Sequence, residues 1–242
     1  MDRVEFQNEC LRLFSLNGLI CSEEQADLLY TLTERMLTVN QTMNLTAIKD
    51  EKAVILRHYV DSLMISAYIP ENSYMIDVGC GAGFPSLPLA IFRPDLRILA
   101  MDATAKRIRY VEETASLLGL KNLSAVAARA EEMAQNPEFR EKFDVVTARA
   151  VASLPVLSEL CLGFARVGGQ MIAMKSQQAD EELDRSKRAI AVCGGGSVTT
   201  TSCNLTDNGI DFEERNLICI KKIRETPKNY PRHFSKISKK PL

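Results

Sequence analysis

The residues best suited to chemistry sit in one short run, Asp77-Val78-Gly79-Cys80-Gly81-Ala82-Gly83-Phe84-Pro85. Glycines at alternate positions let a backbone turn sharply and let a ligand approach the main chain without meeting a Cβ. The dinucleotide fingerprint G-x-G-x-x-G would need its third glycine at position 84; here that residue is Phe84, and the third glycine is Gly83. With the acid Asp77 just ahead of the loop, this spacing disfavours a hydride-transferring oxidoreductase. A second acid, Asp102, follows 25 residues after Asp77. Doubly wound folds carry there the carboxylate that accepts hydrogen bonds from ribose hydroxyls. Loop and acid together predict a nucleoside-containing cofactor. The other reactive residue types form no comparable cluster. Seven cysteines are scattered without a C-x-x-C pair, and the two histidines, His58 and His233, lie far apart, so no metal site is expected. No G-x-S-x-G is present, which disfavours a serine hydrolase.

These residues need elements to position them. Residues 1–70 read as helical. Ser22-Glu23-Glu24-Gln25 has capping-box spacing, and Leu28, Leu29, Leu32, Met36 and Val39 follow at helical intervals. Asp50 can cap a further helix in which Ile55, Tyr59 and Leu63 recur every fourth residue. From residue 74 strands and helices alternate. Strands are expected at 74–78, 97–101, 123–127, 143–147, 170–175 and 217–220, with helices up to Ile91, over 103–118, around 153–165 and over 179–192. Short βα connections predict an α/β fold with a doubly wound, Rossmann-like parallel sheet over 71–224. Gly194-Gly195-Gly196 precedes an expected antiparallel pair at 197–203 and 216–222.

Of the 242 residues, 46% are apolar and 25% charged, which is ordinary globular usage and excludes disorder and collagen-like repeats. No stretch reaches eighteen uncharged apolar residues, so no membrane span is expected. The start Met1-Asp2-Arg3-Val4-Glu5 carries acids where a signal peptide needs a basic, then apolar, run. A soluble cytoplasmic protein, and a monomer, is the expectation. The formal charge of −1 averages two unlike pieces. Residues 221–242 hold eight Lys or Arg against Glu225 alone, a net +7, while the rest carries 22 basic and 30 acidic groups, a net −8. Such asymmetry points to an anionic partner at the C-terminal end. Within the segment 225–242, Lys228, Tyr230, Arg232, Lys236, Lys239 and Lys240 interleave charge with an aromatic ring, as does Phe234. Phosphates and unpaired bases suit such a surface. Pro227, Pro231 and Pro241 oppose helix and suggest an extended strap.

An acid before G-x-G-x-G, with another acid ending the second strand, resembles the class I S-adenosylmethionine-dependent methyltransferases. The likeness narrows further along the chain. Asn44-Leu45-Thr46-Ala47-Ile48, His58 with Asp61-Ser62-Leu63, Lys106-Arg107 and Arg129-Ala130-Glu131-Glu132 belong to one pattern. Phe143-Asp144-Val145-Val146-Thr147-Ala148-Arg149-Ala150-Val151-Ala152 and Thr226-Pro227-Lys228-Asn229-Tyr230-Pro231-Arg232 complete it. From about residue 40 onward, the chain resembles the small-subunit (16S) ribosomal RNA guanine-N7 methyltransferase family, also called glucose-inhibited division protein B. The resemblance implies S-adenosyl-L-methionine as cofactor and 16S rRNA or the small ribosomal subunit as partner. It implies that Gly79, Gly81 and Gly83 line the methionine and adenosine portions, that Asp102 takes the ribose, and that Phe84, Ala130, Glu131 and Arg149 are cofactor positions, with Asp77 at the head of the loop. Departures are Ser86, Ala128 and Ser176, where glycine is usual, and His233-Phe234-Ser235-Lys236-Ile237, which replaces a stretch with Gly and Pro.

The residues also limit the transfer. Exocyclic amine methylation usually has an Asn/Asp-Pro-Pro-aromatic motif where this chain reads Thr147-Ala148-Arg149-Ala150, and no cysteine follows Pro or Thr as a C5-methylating nucleophile would. Guanine N7 carries a free lone pair and no proton, so a site without a general base suits it. Arg149 is expected to fix the cofactor or the base edge. Asn44 and the helical face of His58, Asp61 and Ser62 would border the pocket, or that face would staple the helical section to the sheet. Two alternatives stay open: a catalytically silent RNA-binding assembly factor on this scaffold, and a methyltransferase with another substrate.

Overall fold

In the computed structural model, which describes residues 1–175 and 179–242, a seven-stranded sheet runs in the order β3-β2-β1-β4-β5-β7-β6. Its strands are β1 (Tyr74–Val78), β2 (Arg97–Asp102), β3 (Leu123–Ala127), β4 (Phe143–Arg149), β5 (Ala165–Lys175), β6 (Gly195–Asp207) and β7 (Ile210–Lys222). The first five are parallel, and β7 joins β5 and β6 antiparallel. Strand order reverses between β1 and β4, and a crevice opens there at the carboxyl ends, where ligands of open α/β sheets bind. The expected position Ser176 lies outside the described residues.

Both faces of the sheet are covered, which is why β1 and β4 are almost continuously apolar rather than alternating. Successive residues feed opposite layers: Met75 joins one apolar cluster and Ile76 the other, as do Val145 and Val146. The first layer holds α1 (Arg3–Leu16), α2 (Glu23–Met43), α5 (Ser86–Phe92) and α6 (Ala105–Leu117). Ser22 caps α2 by accepting from the Gln25 N–H, with the Gln25 side chain returning the bond, as the capping-box spacing predicts. Asp50 caps a continuous helical stretch built of α3 (Glu51–Val54), a π-helical segment (Ile55–Val60) and α4 (Asp61–Leu63). The second layer holds α7 (Ala130–Met133), α8 (Leu154–Cys161), α9 (Ala179–Val192) and α10 (Phe234–Lys239).

Three expectations change. The helix placed at 153–165 ends at Cys161, and β5 begins already at Ala165; the Phe164 N–H bonds the Cys161 carbonyl, turning the chain. The antiparallel ribbon is much longer than 197–203 and 216–222, thirteen residues in each strand. Its turn is Asn208-Gly209, both with positive φ, the dipeptide that two-residue hairpins favour; that signal was present, but polar edge-strand residues hid the flanking strands. The C-terminal strap is not wholly extended. Pro231 and Pro241 bracket a short helix, α10, which His233 caps by accepting from the Ser235 N–H. Proline bars helix at its own position and disfavours it at the residue before, and α10 stops at Lys239 with Lys240, just ahead of Pro241, already non-helical.

Candidate active site

The glycine loop leaves β1 and folds back on β2: the N–H groups of Gly79 and Cys80 both donate to the Met101 carbonyl, at 2.8 and 2.9 Å. Gly79 has φ +76°, and a Cβ on it would lie 2.7 Å from Val151 Cγ2, so the loop after β4 closes directly on this residue. Asp102, at the end of β2, accepts from the Gly81 N–H at 3.2 Å and the Thr104 N–H at 2.8 Å, with the Arg107 guanidinium 3.5 Å away. Its carboxylate is thereby fixed at the edge of a cavity of about 210 Å³, lined by Val78, Gly79, Met101, Asp102, Ala103, Ala128, Arg129, Ala130, Glu131, Val151, Leu160 and Phe234. Apolar walls with a few placed carboxylates describe a nucleoside site.

Two buried carboxylate oxygens lack partners among the described residues: Glu131 Oε1, in the lining of this cavity, and Asp77 Oδ1, at the head of the glycine loop but outside that lining. Buried polar atoms are ordinarily bonded, so each orphan marks a place for a ligand donor. Asp77 is wholly buried, and burial pushes its carboxyl up to about 6 even though the Ser86 hydroxyl donates to Oδ2. Ser86, where glycine is usual, therefore supports the loop acid. The donor set fits S-adenosylmethionine: Asp102 suits ribose hydroxyls, Glu131 an exocyclic amine and Asp77 an ammonium group.

A second cleft, about 460 Å³, adjoins the first and is polar, lined by Ile48, Arg57, His58, Asp61, Arg149, Ala150, Met174, Lys175, Glu182 and Arg215. The backbone after β4 is the partition. Arg149 and Ala150 face this cleft, and Val151 faces the other. Ala150 adopts φ +54°, which is strained for a residue with a Cβ. Asp61 organises the polar cleft: Oδ2 accepts from Arg149 at 2.8 Å and Oδ1 from Arg215 at 2.8 Å. Arg215 and Arg57 both pair with Glu213. The Phe84 ring lies beneath, stacked on His58 at 4.5 Å with 6° between planes, with the Arg149 guanidinium 5.3 Å from its centroid. Burial, reinforced by Arg149, drives His58 down to about 3. The imidazole is neutral at pH 7, with Nε2 on the Thr46 hydroxyl at 2.9 Å.

The His58–Asp61–Ser62 face thus does two things: Asp61 holds Arg149, and His58 staples the helical section to the glycine loop through Phe84. Gly81 and Gly83 shape the loop, with φ +58° and +86°. Asn44 is placed differently from expectation. It is exposed, lines neither cleft, and has the left-handed conformation that ends α2, φ 51° and ψ 55°. Asparagine tolerates that conformation, which accounts for it without a chemical role. Cysteine chemistry finds no support, since burial raises the Cys80 and Cys161 thiols well above their ordinary range. Arg215 and Glu131's orphan oxygen are the features that sequence spacing could least reveal: Arg215 comes 154 residues after Asp61.

The basic tail is also partly internal. Arg232 makes three hydrogen bonds to the fully buried Glu159, at 2.6 to 2.9 Å, and so is a structural anchor rather than a displayed RNA contact. The Lys222 ammonium is buried on the Leu162 and Cys193 carbonyls and Glu141, and its pKa is lowered by burial. Tyr230 is half-buried against the second apolar cluster. Lys228, Lys236, Lys239 and Lys240 remain exposed.

Comparison with known proteins agrees with this geometry. The chain is 45% identical over 226 residues to the ribosomal RNA small subunit methyltransferase G of Acetivibrio thermocellus, covering 93% of this chain and 92% of that protein. It is 38% identical to the protein of that name from Lactobacillus helveticus, covering 94% and 95%. Among solved structures, M. jannaschii TYW2 in complex with AdoMet superposes with a TM-score of 0.54 at 16% identity, over 68% of this chain and 76% of that one. A SAM-dependent O-methyltransferase from Thermotoga maritima gives 0.52 at 13% identity, over 78% and 72%. These likenesses show the fold, a Rossmann-like methyltransferase sheet. The profile of the GidB family, rRNA small subunit methyltransferase G, matches residues 25–218, and the chain belongs to that family.

Proposed function

We propose that the chain transfers a methyl group from S-adenosylmethionine to N7 of one guanine in small-subunit (16S) rRNA, acting as a cytoplasmic monomer. The observation that carries this reading is the pair of adjoining clefts separated by Arg149-Ala150-Val151: one apolar with carboxylates for a nucleoside, the other lined by guanidinium groups. Family membership supports the rRNA substrate, and the sequence resemblance supports the N7 position.

When bound, the cofactor supplies a sulfonium-activated methyl group. The chain's own task is then alignment, which can contribute about 7–11 kcal/mol. Asp61 fixes Arg149 and Arg215 at the mouth of the polar cleft, where their donors suit the O6 edge of guanine or a flanking phosphate. His58, held neutral, neither repels a cationic methyl donor nor competes for a proton. With the cofactor bound, attack of the N7 lone pair on the methyl carbon would displace the sulfur as a neutral thioether and leave the positive charge on the purine. No proton moves, so the cleft needs no base.

The test is to offer labelled S-adenosylmethionine to small ribosomal subunits that lack N7-methylguanine, and to naked 16S rRNA, then map any modified position. One labelled guanine, losing the label to N7-specific cleavage, is expected. Incorporation into neither substrate would refute the proposal, and label at another atom would refute the N7 assignment.

A further inference from the structure

Phe234 lies in the segment where this chain departs from the usual family pattern, and it is the one contribution of the C-terminal tail to the lining of the nucleoside cleft. Its ring is 39% exposed, an unusual state for phenylalanine next to a well-packed core. The backbone on either side is not free. Two residues earlier, Arg232 is tied to buried Glu159 by its main-chain N–H, Nε and Nη2. Three residues later, Ile237 is completely buried in the second apolar cluster. His233 caps the intervening helix. The tail is therefore bolted down at both ends of this turn, and the ring is presented at the cleft with an open face. The same cleft is lined by Asp102, suited to a ribose, and by Glu131, whose Oε1 has no partner among the described residues. A nucleoside would offer its ribose hydroxyls and its exocyclic amine to such acceptors, and an aromatic face suits its purine.

We propose that Phe234 is a cofactor-binding residue, the tail-supplied wall against which the adenine of the cofactor packs. The proposal rests on the reading of this cleft as the S-adenosylmethionine site. Lys236, Lys239 and Lys240 ride on the same short helix and are exposed. The segment that offers charge to RNA thus also closes the cofactor cleft, and whatever displaces it alters both.

The experiment is calorimetric titration of the full chain with S-adenosylhomocysteine and, separately, with adenosine, comparing wild type, Phe234→Ala and Phe234→Tyr. Loss of an aromatic stack predicts a Kd about tenfold weaker for Phe234→Ala with both ligands. Phe234→Tyr keeps the ring and should restore affinity to within about twofold, which a merely structural role for the tail would not require. Phe234 is 39% exposed, and its truncation costs some stability; the ligand-free thermal midpoint of each variant is measured alongside, and titrations run well below it, so weaker binding cannot come from misfolding. Unchanged affinity in Phe234→Ala, with wild type binding normally, overturns the role of Phe234 and leaves the cofactor site standing. Wild type that bound neither ligand would overturn both.

Discussion

Replacing Asp77 by Asn separates stability from function at one atom. Asp77 is fully buried, and among the described residues only Ser86 donates to its side chain and Oδ1 has no partner. Burial raises its carboxyl from 3.8 to about 6. A raised folded-state value means that the native state holds the proton more tightly than the unfolded chain. Stability from this group is therefore fully present below 3.8 and is lost as pH rises through about 6. At pH 7.5 the charged form costs the ligand-free protein about 3 kcal/mol, and at pH 5 about 1.5 kcal/mol, the difference having been relieved by protonation. Asn carries no charge, so Asp77→Asn should stabilise the ligand-free chain by about 2–3 kcal/mol at pH 7.5 and by roughly half that at pH 5. Urea unfolding at the two pH values measures this. The same substitution keeps an acceptor oxygen but removes the negative charge proposed to pair with the cofactor's ammonium group, and affinity for S-adenosylhomocysteine should fall about tenfold or more. The result that refutes the reasoning is an Asn variant less stable than wild type at pH 7.5. The carboxylate would then be compensated inside the ligand-free fold and not waiting for a ligand.

Other substitutions follow from the same geometry. Arg149→Ala leaves Asp61 its bond to Arg215, so the stability loss should be about 1.5–3 kcal/mol and not that of a stranded charge, while turnover falls about a hundredfold through lost alignment; wild-type turnover would remove Arg149 from the mechanism. Arg232→Ala strands the buried carboxylate of Glu159 and should cost about 3 kcal/mol in urea unfolding, whereas a loss under about 0.5 kcal/mol would show the tail to be merely laid on the surface. The triple change Lys236→Gln, Lys239→Gln and Lys240→Gln should leave folding unchanged and reduce the salt slope of rRNA binding by about 2, as three lost phosphate contacts imply. An unaltered slope would assign RNA contact to another surface. Deleting 225–242, by contrast, is a poor test of RNA binding, because it also strands Glu159, uncovers the cleft at Phe234 and removes the Thr226 hydroxyl from Lys222.

What the chain settled by itself was local chemistry. Gly79, Gly81 and Gly83 were legible because a left-handed turn close to a ligand excludes a Cβ wherever it occurs, and all three indeed have positive φ. Asp102 was legible because a fixed βαβ path delivers the end of the second strand to the same crevice. Capping at Ser22 and Asp50 involves neighbours three residues apart and needs no tertiary information. Partnership between distant residues was not legible in that way. Nothing in the spacing of His58, Asp61, Phe84, Arg149 and Arg215 states that one carboxylate holds two guanidinium groups over an aromatic floor. Charge counting gave residues 221–242 a net +7, yet folding buries Lys222, commits Arg232 to Glu159 and leaves five lysines and Arg224 exposed. Net charge sums formal charges wherever they lie, whereas an anionic partner meets only those that the fold leaves unpaired and exposed. The tertiary structure alone decided which were which, and brought Phe234 to the cleft lined by Asp102 and Glu131.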